Sequence, residues 1–232
     1  LLLFLEKIRQ LEVKTEGELL RHTREDNGSV TTLTSFHKPS GGAPRKEVKS
    51  FFRMRATYDF SKIKEPKREG INDTDLLLAF PLSATGEAEP DPNSPTYAFL
   101  PIRDFGFPFC IQADFVLISS REGIHVDLEW NITLRDEIAP TFVEAVEEFK
   151  AHPLLANTYL RFLPEEGAVH DPFFKPVVEH LVAELREAEC VPVEGGKWRR
   201  PEQVLLASRE IQALFTSSDA WKLFGAEYPS AD

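Results

Sequence analysis

The feature that most constrains the fold is a change in hydrophobic periodicity near residue 130. Before it, short runs rich in Val, Thr and Phe are separated by polar turns, a pattern typical of β-strands. Beyond it, apolar residues recur every three or four positions, which predicts helices. The predicted strands are 11–14, 29–37, 48–58, 75–82, 96–102 and 109–119. We therefore predict an α+β (mixed α/β) fold, with a mixed sheet in a β-rich first half and a helical second half.

The helical half begins with an apolar stripe that runs from Trp130 to Phe149. Pro140 lies inside this stripe and predicts a kink or a break, because proline lacks the amide that a helix interior needs. Further predicted elements are a short helix at 2–8, helices at 154–163 and 173–185, and a hairpin at 190–201.

Composition limits the classes of partner. The 232 residues include 38 acidic and 27 basic side chains, a formal net charge of -11. This balance favours protein partners and makes nucleic acid unexpected. Cys110 and Cys190 lack a CxxC spacing, so we expect reduced thiols and an intracellular, cytoplasmic or nuclear, location. The apolar start is too short to cross a membrane, and the missing Met suggests a fragment of a longer protein.

Arg121 is the main candidate for chemistry, because it follows an apolar predicted strand that would hold its backbone rigidly. Its guanidinium carries a permanent charge and a planar set of donors that match the oxygens of a phosphate. An arginine paired with a nearby acid, such as Glu122, is the alternative. Ser120 belongs to the same turn, Arg103 could pair with Asp104 or orient Arg121, and Asn131 could cap the following helix or bond the Arg121 loop.

Other site classes have weaker support. The six histidines show no metal-ligand spacing, so we predict no metal site. No phosphate-binding glycine loop or nucleophile elbow occurs. Asp26, Glu47 and Lys49 loosely imitate a metal-dependent nuclease, and the acidic chain makes that alternative weak.

One block of motifs carries a family resemblance. Its pieces are Ala98-Phe99-Leu100-Pro101, Phe105-Gly106-Phe107, Ile111-Gln112-Ala113-Asp114-Phe115, Ser119-Ser120-Arg121-Glu122 and Trp130-Asn131. Together they resemble the sacsin/NO VEIN-like branch of the heat-shock protein 90-type (GHKL) ATPases. The later segment from Gly196 to Pro201 is a less specific match to a short strand of the same family.

The resemblance implies a division of labour within a longer protein. ATP and Mg²⁺ would be bound mainly by a preceding N-terminal ATPase domain, and this chain alone would hold no cofactor. Residues 1–95 would form a β-rich lead-in continuing from that domain, and residues 96–232 the core of a middle domain related to the βαβ architecture of ribosomal protein S5 domain 2.

In such a middle domain, Arg121 would contact the γ-phosphate of the bound ATP. The partners implied are the N-terminal ATPase domain of the same protein, protein clients of a chaperone or ATPase, and a second copy in a homodimer. The alternative is a non-catalytic scaffold, or protein-interaction module, in which a structural Arg121 clamps the sheet to the helix that begins near Trp130.

Overall fold

The computed structural model describes residues 2–5 and 7–230. Positions 1, 6, 231 and 232 lie outside the described residues, and they include part of the predicted helix 2–8 and the outer ends of the segments 1–95 and 96–232. The strands are β1 (Gln10–Thr15), β2 (Glu18–Asn27), β3 (Val30–Lys38), β4 (Arg45–Asp59), β5 (Asp73–Leu82), β6 (Pro95–Ala98), β7 (Leu100–Asp104), β8 (Cys110–Ala113), β9 (Val191–Val193) and β10 (Lys197–Arg199). The α-helices are α1 (Glu129–Asp136), α2 (Ile138–Ala151), α3 (Lys175–Glu187), α4 (Arg209–Leu214) and α5 (Ser217–Phe224).

Within the described residues, β1 to β8 form one sheet in the order β1-β2-β3-β4-β5-β8-β6-β7. β1 to β5 make an antiparallel meander, and β8 pairs antiparallel with β5 and parallel with β6. The sheet is therefore mixed, and the helices follow it in the chain. The predicted fold class is confirmed.

The topology differs in detail from the architecture that the resemblance implies. Every described strand of the large sheet precedes α1, so no βαβ unit is found in the described part of this sheet. The parallel pair β6 and β8 is connected through β7 instead of a helix. The sheet also continues across residue 95, since β8 pairs with β5. Residues on both sides of that position therefore share one sheet and one core.

The core lies between the sheet and the helices, and it is rich in aromatic side chains. Phe80 of β5 is fully buried, with ring centroids 4.9 to 5.5 Å from those of its aromatic neighbours. These neighbours are Phe109, Phe142, Phe149 and Phe162. On the opposite face of the sheet, a 3-10 turn at Leu2–Phe4 packs over β4 and β5. Such packed aromatic clusters give a rigid platform for the loops that leave the sheet.

The apolar stripe behaves as its spacing predicts. Its residues are buried, and the helix is split between α1 and α2, with Glu137 at the break and Pro140 in the first turn of α2. The proline is tolerated there because the first turn of a helix leaves amides without intrahelical partners. The predicted α3 and the hairpin β9–β10 are also confirmed.

Several predicted elements are wrong in extent. The predicted helix 2–8 is a 3-10 turn over Leu2–Phe4, and 154–163 forms turns and a 3-10 turn at Tyr159–Phe162. There, the ring nitrogen Nδ1 of His152 accepts from the backbone amides of Leu154 and Leu155, which fixes a turn where helix was expected. β2 was not predicted, since its polar sequence hides the alternation of a strand.

Two errors concern the segment that carries the candidate site. The predicted strand 96–102 is a hairpin, β6 and β7, that reverses at Phe99. The predicted strand 109–119 ends at Ala113, beyond which the chain leaves the sheet. Among the described residues, no helix is long and apolar enough to span a membrane.

Candidate functional site

The Arg121 loop, residues 114–125, is a short excursion from the end of β8. Its two arms are held together by hydrogen bonds from the amide of Ile118 to the carbonyl of Gly123 and from the amide of His125 to the carbonyl of Val116, both 3.0 Å. The Arg121 amide closes the turn on the Ile118 carbonyl at 2.9 Å. Arg121 therefore lies at the tip of a tight turn, with a positive φ of 61°.

Asn131 fixes this loop from inside the protein. Its amide is fully buried at the third position of α1, and Leu128 rather than Asn131 is the N-cap residue. The side-chain oxygen accepts from the Val116 amide, and the side-chain nitrogen donates to the carbonyls of Val116 and His125, each at 2.8 Å. Asn131 therefore joins both arms of the Arg121 loop to the first helix.

A second connection ties the start of the loop to the segment between β4 and β5. Nε of Arg68 lies 2.7 Å from Oδ2 of Asp114, and its Nη2 donates to the carbonyl of Phe115 at 3.2 Å. The indole nitrogen of Trp130 donates to the carbonyl of Asp114 at 2.9 Å. Burial raises the pKa of Asp114 above its ordinary value, and the charge of Arg68 opposes that rise.

The side chain of Arg121 does not take part in these connections. Arg121 is exposed, and none of the described residues forms a hydrogen bond or ion pair with its guanidinium. Ser120 and Glu122 are exposed beside it, and the Ser120 hydroxyl accepts from the Glu122 amide at 3.4 Å. The side chains of Asn131, Arg68 and Trp130 thus hold the loop that follows β8, while the guanidinium of Arg121 is exposed and bonds to none of the described residues.

Arg103 belongs to a different part of the surface. It pairs with Asp171 at 2.6 Å, and its guanidinium lies 4.5 Å from the ring centroid of Phe105. The pairing with Asp104 that the sequence suggests is not formed; the Asp104 carboxylate accepts from the Gly106 amide instead. Arg103 therefore does not orient Arg121.

A groove of about 720 Å³ adjoins the Arg121 loop. Its basic side chains are Lys67, Arg68 and Arg121, and its acidic one is Asp114. Its apolar side chains are Ile71, Phe99, Leu100 and Ile118, together with inner loop residues. This combination of cationic and apolar groups suits an anionic ligand or a protein surface that carries one.

Sequence reasoning missed the part that Phe99 plays in this groove. Phe99 forms the reversal between β6 and β7 with a φ of 63°, and its amide donates to Oε1 of the buried Gln112 at 2.9 Å. Phe99 as a whole is 57% exposed. A phenylalanine in a left-handed turn has no sequence signature, so the apolar motif Phe99-Leu100-Pro101 predicts a continuous strand from sequence alone.

Backbone strain is concentrated at this groove. Among the described residues, Phe99 and Arg121 are the non-glycine residues with positive φ, and both line it. The left-handed conformation costs a residue with a side chain about 1–2 kcal/mol. Such strain persists where the surroundings impose it and often marks a functional site. The groove is therefore the candidate functional site.

The nuclease alternative fails on geometry. Asp26 is the penultimate residue of β2 and lies opposite Thr31, which lies opposite Phe51 in β4. Glu47 and Lys49 pair with each other at 3.2 Å in β4. Glu47 is four residues from Phe51, about 13 Å along the strand at the usual rise. The three residues do not form a site, and no metal-binding cluster of His, Cys, Asp or Glu occurs among the described residues.

Comparison with known proteins gives one informative similarity. The chain is similar to Protein NO VEIN of Arabidopsis thaliana, with 31% identity over 150 residues. The match covers 60% of this chain and 6% of that much longer protein, so the chain corresponds to a small part of its relative. No family model matches the chain, and no solved structure matches it.

Proposed function

We propose that this chain is the middle-domain segment of a sacsin/NO VEIN-like ATPase and that Arg121 completes the site of ATP hydrolysis. The observation that carries the proposal is an exposed guanidinium that bonds to none of the described residues, on a strained turn whose base is fixed by the buried Asn131. The similarity to Protein NO VEIN over 150 residues and the motif block around Ser120-Arg121-Glu122 support it.

ATP and Mg²⁺ would be held mainly by the ATPase domain of the same protein. When bound, ATP supplies the phosphoryl group and Mg²⁺ supplies positive charge that orients it. The hydrogen-bond donors of this chain suit the phosphate groups of ATP but not the metal ion. Lys67 and Arg121 present positive charge at the groove, and the described residues contain no carboxylate cluster for the metal.

The role of Arg121 would be electrostatic. Its guanidinium would stabilise the negative charge that develops on the transferred phosphoryl group. Such stabilisation is greatest when the group is positioned before reaction, and the bonds of Asn131 hold the backbone of the loop from which the Arg121 side chain extends. Docking and release of the two domains would then transmit the nucleotide state to protein partners.

The decisive experiment measures ATP turnover and nucleotide affinity of the full-length protein that carries this chain. Arg121→Gly removes the side chain and is at least as compatible with the observed φ, so the variant is expected to fold. We expect its turnover to fall at least tenfold, which corresponds to about 1.4 kcal/mol of transition-state stabilisation. Nucleotide affinity should be unchanged. Arg209→Ala, at an exposed arginine of α4, is the matched control.

Unchanged turnover in folded Arg121→Gly would overturn the catalytic role. The chain would then be better explained as a non-catalytic scaffold or interaction module.

A further inference from the structure

The strand β1 forms an edge of the large sheet. Among the described residues, β2 is its neighbour on one side and no strand lies on the other. The Arg24 amide donates to the Arg9 carbonyl at 2.8 Å, just before β1 begins. In an antiparallel pair, residues that bond to the neighbouring strand alternate with residues that face away from it. The backbone groups that face the outer edge therefore belong to Gln10, Glu12 and Lys14.

The opposite edge of the sheet is protected against further pairing, and β1 is less so. The edge strand β7 contains Pro101, which has no amide to donate, and its pairing with β6 shifts register between Thr96 and Tyr97. Proline and bulges are devices by which proteins keep sheet edges from pairing. The strand β1 has no proline, and its register with β2 is unbroken. Its outer edge can therefore accept another strand.

The side chains of β1 divide into an apolar face and a charged face. Leu11 is 45% exposed and Val13 is 50% exposed, and the alternation of a strand places both on one face of the sheet. Glu12 and Lys14 lie on the other face, where Nζ of Lys14 is 2.9 Å from Oε1 of Glu12. A strand that pairs with β1 thus meets apolar groups on one face and both signs of charge on the other.

The order of these residues makes β1 complementary to itself. If two copies of β1 pair antiparallel about a two-fold axis beside Val13, Glu12 of each copy lies opposite Lys14 of the other. The two Val13 side chains then face each other on the apolar face. A shift of one strand by two residues places Glu12 opposite Glu12 or Lys14 opposite Lys14, and like charges directly opposite are destabilising. The charges therefore select one register.

We infer that β1 is a dimerisation edge, on which a second copy of this chain pairs through its own β1. The self-complementary order Glu12-Val13-Lys14 identifies the occupant as a second copy. The eight-stranded sheets of the two copies would then join into one continuous sheet. This inference is independent of the ATPase role proposed above.

The test is sedimentation velocity of the whole 232-residue chain over a range of protein concentrations. Lys14→Glu makes both charged side chains of β1 acidic, and Glu12→Lys makes both of them basic. Lys64→Glu makes the same charge change at an exposed lysine between β4 and β5, and is the matched control. Circular dichroism establishes that each variant is folded.

We expect the wild type and Lys64→Glu to show the same monomer–dimer equilibrium. Lys14→Glu and Glu12→Lys should each weaken self-association by about tenfold or more, because the two-fold axis reverses two cross-strand pairs at once. An equimolar mixture of these two variants should recover the association of the wild type, since every Glu in the mixed dimer faces a Lys. Such recovery also excludes misfolding of β1 as the cause of the weakened self-association.

Three results would overturn the inference. One is a wild type that stays monomeric at every concentration, and another is a dimer that neither β1 variant weakens. The third is a mixture of Lys14→Glu and Glu12→Lys that associates no better than each variant alone, because the register that places Glu12 opposite Lys14 would then be wrong.

Discussion

Replacement of Asn131 by leucine should both destabilise the fold and release the Arg121 loop. Leucine has a similar volume, so the change mainly removes hydrogen bonds. The Val116 amide and the His125 carbonyl lose their Asn131 partner, whereas the Val116 carbonyl keeps the His125 amide. Each buried polar group left unmatched costs about 1–3 kcal/mol. Because His125 is only half-buried, we expect a total of about 2–4 kcal/mol.

Urea unfolding followed by circular dichroism measures this loss, with the midpoint and the slope reported separately. Asn93→Ala, at an exposed asparagine, is the control and should lie within about 0.5 kcal/mol of the wild type. A loss of 2–4 kcal/mol leaves a domain of ordinary stability folded. The local consequence can therefore be measured on the native protein.

The local readout is limited trypsin digestion, mapped by mass spectrometry. Arg121 is exposed, but the hydrogen bonds across its loop resist the extended conformation that a protease requires. In Asn131→Leu, cleavage after Arg121 should accelerate more than cleavage at other exposed basic residues. Wild-type stability in this variant, or cleavage that rises equally at all sites, would refute the idea that Asn131 positions the arginine.

Three further outcomes follow from the structure. A Cβ at Gly106 would lie 2.1 Å from the carbonyl oxygen of Ala168 at a φ of 91°, whereas Gly195 has open space at a φ of 81°. Urea unfolding should therefore show that Gly106→Ala costs about 1–3 kcal/mol more than Gly195→Ala. Burial raises the pKa of the Cys110 thiol to about 11, so Cys110 should react with a disulfide reagent at pH 8 only after unfolding. Carboxyl NMR should find Asp114 titrating above its ordinary range; since the folded state then binds more protons, the Asp114 contribution to stability should fall as pH rises between its unfolded and folded pKa values.

The fold could be predicted in those segments where the periodicity of apolar side chains along the chain determines the type of element. The apolar residues from Trp130 to Phe149 are spaced so that they share one helix face, independently of the elements that pack against it. Pro140 predicts the break that separates α1 from α2. The long strands of the meander were predicted for the same reason, apart from the polar β2. In these elements, local preference and tertiary packing favour the same conformation.

The site could be predicted only in part, because its geometry depends on contacts between distant residues. Arg121 was identified from its position in the chain, and the bond between Asn131 and its loop was one of two stated alternatives. The connection of Arg68 to Asp114 joins residues 46 positions apart, and Arg103 reaches Asp171 across 68 positions. No local pattern encodes such pairs, so the groove could not be found from sequence.

The end of β8 illustrates the same limit. The apolar run after Ala113 has the composition of a strand, yet its backbone groups bond to side chains of the surrounding elements. Arg68 donates to the carbonyls of Asp114 and Phe115. The Asn131 side chain accepts from the Val116 amide and donates to the Val116 carbonyl. Tertiary partners have replaced the neighbouring strand, and the loop can therefore turn away from the sheet.

The strained residues give the strongest physical reason to look at this groove. Stability alone favours glycine at positions 99 and 121, because each left-handed residue with a side chain costs about 1–2 kcal/mol. Gln112 and Asn131 are both buried, and each bonds one of the two turns to the core. The core thus fixes the backbone of the two turns from which an exposed phenyl ring and an exposed guanidinium extend beside one groove. An exposed side chain that costs the folded state free energy adds little to the fold, and such strain is the physical ground for proposing a functional role at this groove.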